Sequence, residues 1–337
     1  MTRRRDPVER AADDSVDLYD VSTWEPRSTL DHLAYSVYAA LNYGLRGVVL
    51  AAAFMFTLAL LASPAVLVAD EPAISVFFLL SIVPALLLAA YIWRADITTR
   101  EPLGLLVATF ALAVLFATFA AVINTIGAGV FYPIPVVGAA LFFYLIVGPV
   151  EEIVKLLAVR VFAYRSESFD AVIVGTVYGA VAGLGFAAIE NVIYITQVVA
   201  EVGPEAGLYT AATEIATVRA LVGPGHVIYS AIAGYYLGLA KFNRQYAGPL
   251  IAKGLLVAAF VHATYNITVG FIPGFVAGLY PVTADAVFVT YVVGYNVAIG
   301  YYLYRKIAHY RRTYRDVSAG DTGEPRSELT EFDPSRR

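Results

Sequence analysis

Long apolar runs recur along the chain, broken by short polar stretches. Eight of them fall at roughly 45–69, 73–93, 103–127, 137–163, 170–199, 207–240, 248–270 and 283–304. Each is about 20 residues or longer, the length a helix needs to cross a bilayer. In hydrocarbon every backbone N–H and C=O must find its partner inside the protein, and spans of this kind satisfy that as helices. The pattern predicts an all-α, polytopic transmembrane helical bundle of about eight spans. Residues 1–44 are polar, rich in Asp and Arg, and read as a flexible or interfacial tail. The bundle occupies 45–304. Residues 305–337 are charged, and 316–337 lack periodicity, which predicts a disordered C-terminal tail.

Composition agrees with the pattern. The chain is 59% hydrophobic and 15% charged, whereas soluble domains are about half apolar and about a quarter charged. With no cysteine, disulfides, thiolate nucleophiles and cysteine-based zinc sites are excluded. The first 40 or so residues lack the apolar segment of a cleavable signal, so the first span is expected to act as the insertion signal.

Charge sets the orientation. Arg94 and Arg100 follow the second run, Arg160 and Arg165 the fourth, and Lys241 and Arg244 the sixth. Arg305, Lys306, Arg311, Arg312 and Arg315 follow the eighth. The alternate connections carry Asp70 with Glu71, Glu201 with Glu205, or no charge. By the positive-inside rule both termini are cytoplasmic, and an even number of spans agrees. A multi-pass protein of the cell membrane is expected, with the lipid bilayer as its surroundings and no nucleic-acid partner.

Against this background the ionisable groups inside the runs stand out. Charged side chains in hydrocarbon are costly, face a protein interior or a wet cavity, and mark functional sites. The fourth run holds Glu151, Glu152 and Lys155. Glu151 and Lys155 are four apart and share a helix face, while Glu152 points about 100° away. The alternative to chemistry here is a structural ion pair. Glu190 lies about two turns beyond Gly183, the last of Gly175, Gly179 and Gly183, whose spacing suits close helix packing, so it points into the bundle. Its alternative is a buried, hydrogen-bonded acid.

The sixth run carries Arg219 and His226 around Gly223-Pro224-Gly225, which predicts a break or kink. Arg219 is expected to pair with Glu214 or Glu205 near the outer face. In the seventh run Gly254, Ala258, His262, Asn266 and Gly270 are each four apart, along one ridge. Only four histidines occur, and two of them, His226 and His262, sit in runs beside carboxylates. Buried Glu and His also form proton relays, so a proton-coupled transporter or channel is the alternative class. Against it, no internal repeat is visible. A non-catalytic scaffold is a further alternative.

These residues resemble the PrsW family of intramembrane proteases, itself similar to the CAAX prenyl endopeptidases and bacteriocin-processing enzymes. The resemblance rests on Glu151-Glu152-x-x-Lys155, Phe186-x-x-x-Glu190, His226 and His262-x-x-x-Asn266, in order and on separate spans. It covers about residues 95–275, counting Arg100-Glu101-Pro102. It implies hydrolysis of a peptide bond in a membrane-anchored protein substrate, with Glu151, Glu152, Glu190, His226, His262 and Asn266 as the site. Carried over from the CAAX relatives, Glu151 is the general base, and His262 and Asn266 polarise the scissile carbonyl. Those relatives carry His where this chain has Glu190. The family is often called metallic, and Glu190, His226 and His262 would make a two-His, one-Glu zinc set. No His-Glu-x-x-His motif supports it, and a metal-free glutamate mechanism is the competing expectation.

Overall fold

The computed structural model describes residues 17, 19, 25–98, 100–202 and 207–320. The other residues, including 1–16 and 321–337 of the expected tails, lie outside this description. By internal contacts the chain divides into two units, 1–55 and 56–337.

In the first unit, α1 (Thr29–Asp70) begins, so the expected tail over 1–44 is already helical from Thr29. The cause is a reciprocal cap. The Ser28 hydroxyl accepts from the Asp31 N–H at 3.1 Å, and the Asp31 carboxylate accepts from the Ser28 N–H at 2.8 Å. Two otherwise orphaned donors are thereby satisfied. The portion of α1 long and apolar enough to span a membrane is Gly47–Asp70.

The second unit contains α2 (Ile74–Ala95), α3 (Leu103–Phe131), α4 (Gly138–Phe142), α5 (Gly148–Val161), α6 (Val172–Val202), α7 (Leu208–Phe242), α8 (Ala247–Leu279) and α9 (Ala284–Gly320). No β-strand occurs among the described residues. Among the described residues seven helices are long and apolar enough to cross a membrane, against about eight expected. The missing one is the fourth run. It is helical over 138–161, but a π-helical turn at Phe143–Val147 divides it into α4 and α5. Glu151, Glu152, Lys155 and Arg160 dilute its apolar character. Its 24 residues still rise about 36 Å. The C-terminal expectation also changes. α9 continues to Gly320, so 305–320 is helical rather than disordered. Leu303, Ile307, Tyr310 and Tyr314 recur at helical spacing; the first two are buried and the two tyrosine rings stack.

α6 and α7 form the centre, with 83% of the apolar window of α6 buried. Gly175, Gly179 and Gly183 let their backbones meet. A methyl group on Gly183 would collide with the His226 carbonyl oxygen and Val227 Cα, and one on Gly179 with Ser230 and Ala231. Small residues permit such approach where van der Waals packing is the main attraction between helices. Gly183→Val should therefore lower stability by about 1–3 kcal/mol, read as a drop in the thermal midpoint of detergent-purified protein. An unchanged midpoint would show that the α6–α7 contact is looser than described.

The expected break at Gly223-Pro224-Gly225 does not occur, since α7 runs through it. Proline disturbs the preceding turn, but a neighbouring helix can re-satisfy the backbone. The carbonyl that Pro224 deprives of its donor is that of Ala220; one residue on, Asn296 Nδ2 of α9 donates to the Leu221 carbonyl at 3.1 Å.

Candidate active site

The site begins where the π turn hands over to α5. Such turns add a residue to the helix and shift the faces that follow. Gly148 comes next, and a side chain there would run into the Ala259 carbonyl oxygen of α8. That close approach brings the first turn of α5 against His262. Glu151 and Glu152 are both buried, at 4% and 0% exposure.

The two adjacent carboxylates lie on either side of one imidazole. His262 Nδ1 is 3.0 Å from Glu152 Oε1, and His262 Nε2 is 3.6 Å from Glu151 Oε2. A carboxylate only accepts, so Nδ1 carries the proton and donates to Glu152. The Nε2 lone pair then faces the Glu151 carboxylate. Glu152 also accepts from Ser230 Oγ at 3.1 Å and from Lys155 Nζ at 2.8 Å. It is thus held on three sides.

Lys155 is fully buried. Its Nζ lies 3.7 Å from Glu151 Oε2, 3.0 Å from His226 Nδ1 and 4.1 Å from the centre of the Phe186 ring. Face-sharing predicts Glu151 as its partner, yet Glu152, three residues away, is the nearer. An ammonium only donates, so His226 Nδ1 accepts and Nε2 carries the proton. Nε2–H then donates to Glu190 Oε2 at 3.0 Å. Glu190 Oε2 also accepts from Arg219 at 2.9 Å, and Arg219 Nε donates to Asn191 Oδ1 at 2.8 Å. The expected partners of Arg219 are therefore replaced. Glu214 is exposed and Glu205 lies outside the described residues, whereas Glu190 faces Arg219 directly across the α6–α7 interface.

Five of the six expected site residues, Glu151, Glu152, Glu190, His226 and His262, thus form one connected network. The sixth, Asn266, lines the same cavity. That cavity, of about 430 Å³, is bounded by α3 and α4–α8 and lined in part by Asn124, Glu151, Glu190, Arg219, His226, His262 and Asn266. Sequence reading missed Asn124. Its Nδ2 donates to Glu151 Oε1 at 3.0 Å, which orients that carboxylate. An amide in the otherwise apolar run of α3 was the available signal. Asn124→Ala should reduce activity about 10–100-fold, the usual effect of removing a group that orients a reacting one. Steady-state cleavage rates at equal folded protein would show it, and full activity would remove Asn124 from the site.

The donor set fits a metal ion. Glu151, His226 and His262 each offer an atom within 4.8 Å of the others, whereas the expected set had Glu190 in place of Glu151. Glu151 Oε2 is buried and has no hydrogen-bond partner among the described residues. Glu151, Glu152 and Glu190 set three negative charges against the two of Lys155 and Arg219. The excess carboxylate and the facing His262 lone pair both favour a cation. Using His226 as a ligand requires its Nε2 to give up the proton now directed at Glu190.

A helical bundle that gathers carboxylates and imidazoles around a buried cavity has the make-up of an intramembrane acid–base or metal site, shared by hydrolases and proton carriers. The family model described as "PrsW family intramembrane metalloprotease" matches residues 101–299, which include all six site residues, and the chain belongs to that family. It is a protease with a protein substrate and a membrane setting. Nothing in the site or the match favours the transporter alternative. Protease PrsW of Oceanobacillus iheyensis is 32% identical over 187 residues, 55% of this chain and 79% of that relative. The Geobacillus kaustophilus Protease PrsW is 29% identical over 188 residues, 55% of this chain and 76% of that relative. The Bacillus subtilis protein of the same name is 28% identical over 193 residues, with 55% and 78% covered. No solved structure matches.

Proposed function

We propose that the chain cuts a membrane-anchored protein in the cell membrane, at the cavity around Glu151. The observation that carries this reading is Glu151 Oε2, a buried carboxylate oxygen that lacks a hydrogen-bond partner among the described residues and belongs to a side chain lining the cavity. Glu151, His226 and His262 would hold a zinc ion. Zinc supplies a Lewis acid and lets its bound water lose a proton near neutral pH. Glu152 fixes the His262 tautomer by accepting from Nδ1–H, the carboxylate–histidine support typical of metal ligands. Glu190, held by Arg219, is the remaining cavity carboxylate. It receives the proton of the attacking water and returns it to the leaving amine. Asn266, one turn beyond His262, donates to the carbonyl oxygen as negative charge develops there.

A second allocation keeps Glu151 as the base and puts Glu190 with His226 and His262 in the metal set. The 3.0 Å approach of Glu190 Oε2 to His226 Nε2 favours it. Metal analysis of purified variants separates the two. Wild-type protein should retain about one zinc per chain. In the first allocation Glu151→Ala loses the metal and Glu190→Ala keeps it, and in the second the outcomes reverse. Metal-free wild type with chelator-insensitive cleavage would discard both in favour of a metal-free glutamate mechanism.

A further inference from the structure

Two carboxylates outside the catalytic cavity, Asp96 and Glu101, form no ion pair among the described residues. Glu101 lies in the connection between α2 and α3 and is 4% exposed. Neither of its carboxylate oxygens has a hydrogen-bond partner among the described residues. Asp96 in the same connection is pinned through Oδ1, which accepts from the Thr98 N–H and from the Thr98 hydroxyl, both at 2.7 Å. Its Oδ2 is buried and likewise without a partner among the described residues. Trp93, Arg94, Asp96, Arg100 and Glu101 line one cavity of about 320 Å³. None of these residues lines the catalytic cavity. Burial pushes the Glu101 carboxyl up to about 7; the adjoining Asp96 side chain adds to the shift, while the Glu101 backbone N–H and the Trp93 side chain oppose it.

Arg94 and Arg100 line the same space but are exposed. Among the described residues neither forms an ion pair with Asp96 or Glu101. Their repulsion of a cation is weakened by solvent and salt, whereas the carboxylate oxygens are sheltered and feel a bound ion strongly. Three buried carboxylate oxygens that accept no hydrogen bond of ordinary geometry among the described residues, with room for water beside them, match the needs of hard divalent ions. Magnesium in particular uses one or two carboxylates and keeps several waters. We propose that Asp96 and Glu101 bind a hydrated divalent cation of the magnesium or calcium class in the α2–α3 connection. The ion ties the end of α2 to the start of α3, the helix that carries Asn124 to Glu151.

Trp93 in the cavity wall provides the readout. Terbium(III) substitutes for calcium, and excitation of Trp93 should sensitise its emission in the detergent-purified full chain. Calcium or magnesium should quench that emission by displacement. Glu151→Gln should keep it, which separates this site from the catalytic one. Glu101→Gln and Asp96→Asn should each lose most of it, and Trp93→Phe should lose it with the ligands intact. If Glu101→Gln fails to fold, Asp96→Asn, whose side chain is only half-buried, carries the test. Absent wild-type emission overturns the proposal. So does emission that survives both carboxylate substitutions, or that neither calcium nor magnesium displaces.

Discussion

Glu151→Gln is expected to reduce cleavage by at least roughly 10²–10⁴-fold, the range for loss of a proton-transfer group, and as a zinc ligand Glu151 would take the metal's Lewis acidity with it. The side chain keeps its size and its contact with Asn124 Nδ2, since the glutamine oxygen can still accept at the 3.0 Å separation. What disappears is the negative charge facing His262 Nε2 at 3.6 Å. The variant should therefore fold and insert as wild type does, with unchanged elution from size exclusion, and its thermal midpoint should equal or exceed that of wild type stripped of metal. Cleavage rates and thermal unfolding on the same preparation read both halves. Wild-type activity in a folded Glu151→Gln protein would place the chemistry elsewhere.

The second large effect concerns Lys155. Among the described residues it is the one cation that touches Glu151, Glu152 and His226, and it is wholly buried. Methionine fits the volume but leaves the buried Glu151 and Glu152 carboxylates without the counter-ion they share. Breaking a buried ion pair from one side costs about 3–5 kcal/mol. Lys155→Met should thus lower stability by that amount and abolish activity, because the Glu152–His262 bond loses its anchor. Adding Glu152→Gln removes one stranded charge and should recover part of the stability. Thermal or denaturant unfolding of wild type, both single variants and the double variant measures this coupling directly. Strictly additive losses would mean that Lys155 and Glu152 do not form the pair described.

Much of this arrangement is legible in the sequence, for a physical reason. Ionisable groups are so costly in hydrocarbon that each one inside an apolar run announces a partner. That logic locates Glu151, Glu152, Glu190, His226, His262 and the amide of Asn266. The glycine spacing likewise announces the α6–α7 contact. Pairing is less legible, because it depends on how helices dock rather than on which residues share a face. Lys155 shares a face with Glu151 yet lies nearer Glu152. Arg219 reaches across to Glu190 and Asn191 rather than along its own helix. The exchange of Glu190 for Glu151 in the converging metal set has the same origin. Termini are misjudged for local reasons. The Ser28–Asp31 cap starts α1 early, and the Leu303–Tyr314 stripe carries α9 on. The π turn that splits the fourth run leaves no hydropathy signature, since its residues, Phe143–Val147, are all apolar or aromatic.

The central claim is that the Glu151 cavity hydrolyses peptide bonds of membrane-anchored proteins. Mass-spectrometric mapping of new N-termini tests it most directly, comparing membranes that contain the active chain with membranes that contain equal amounts of Glu151→Gln. New termini inside or beside a transmembrane segment are expected with the active chain alone, and the uncut protein should accumulate with the variant. Identical terminal maps from the two membranes would contradict it.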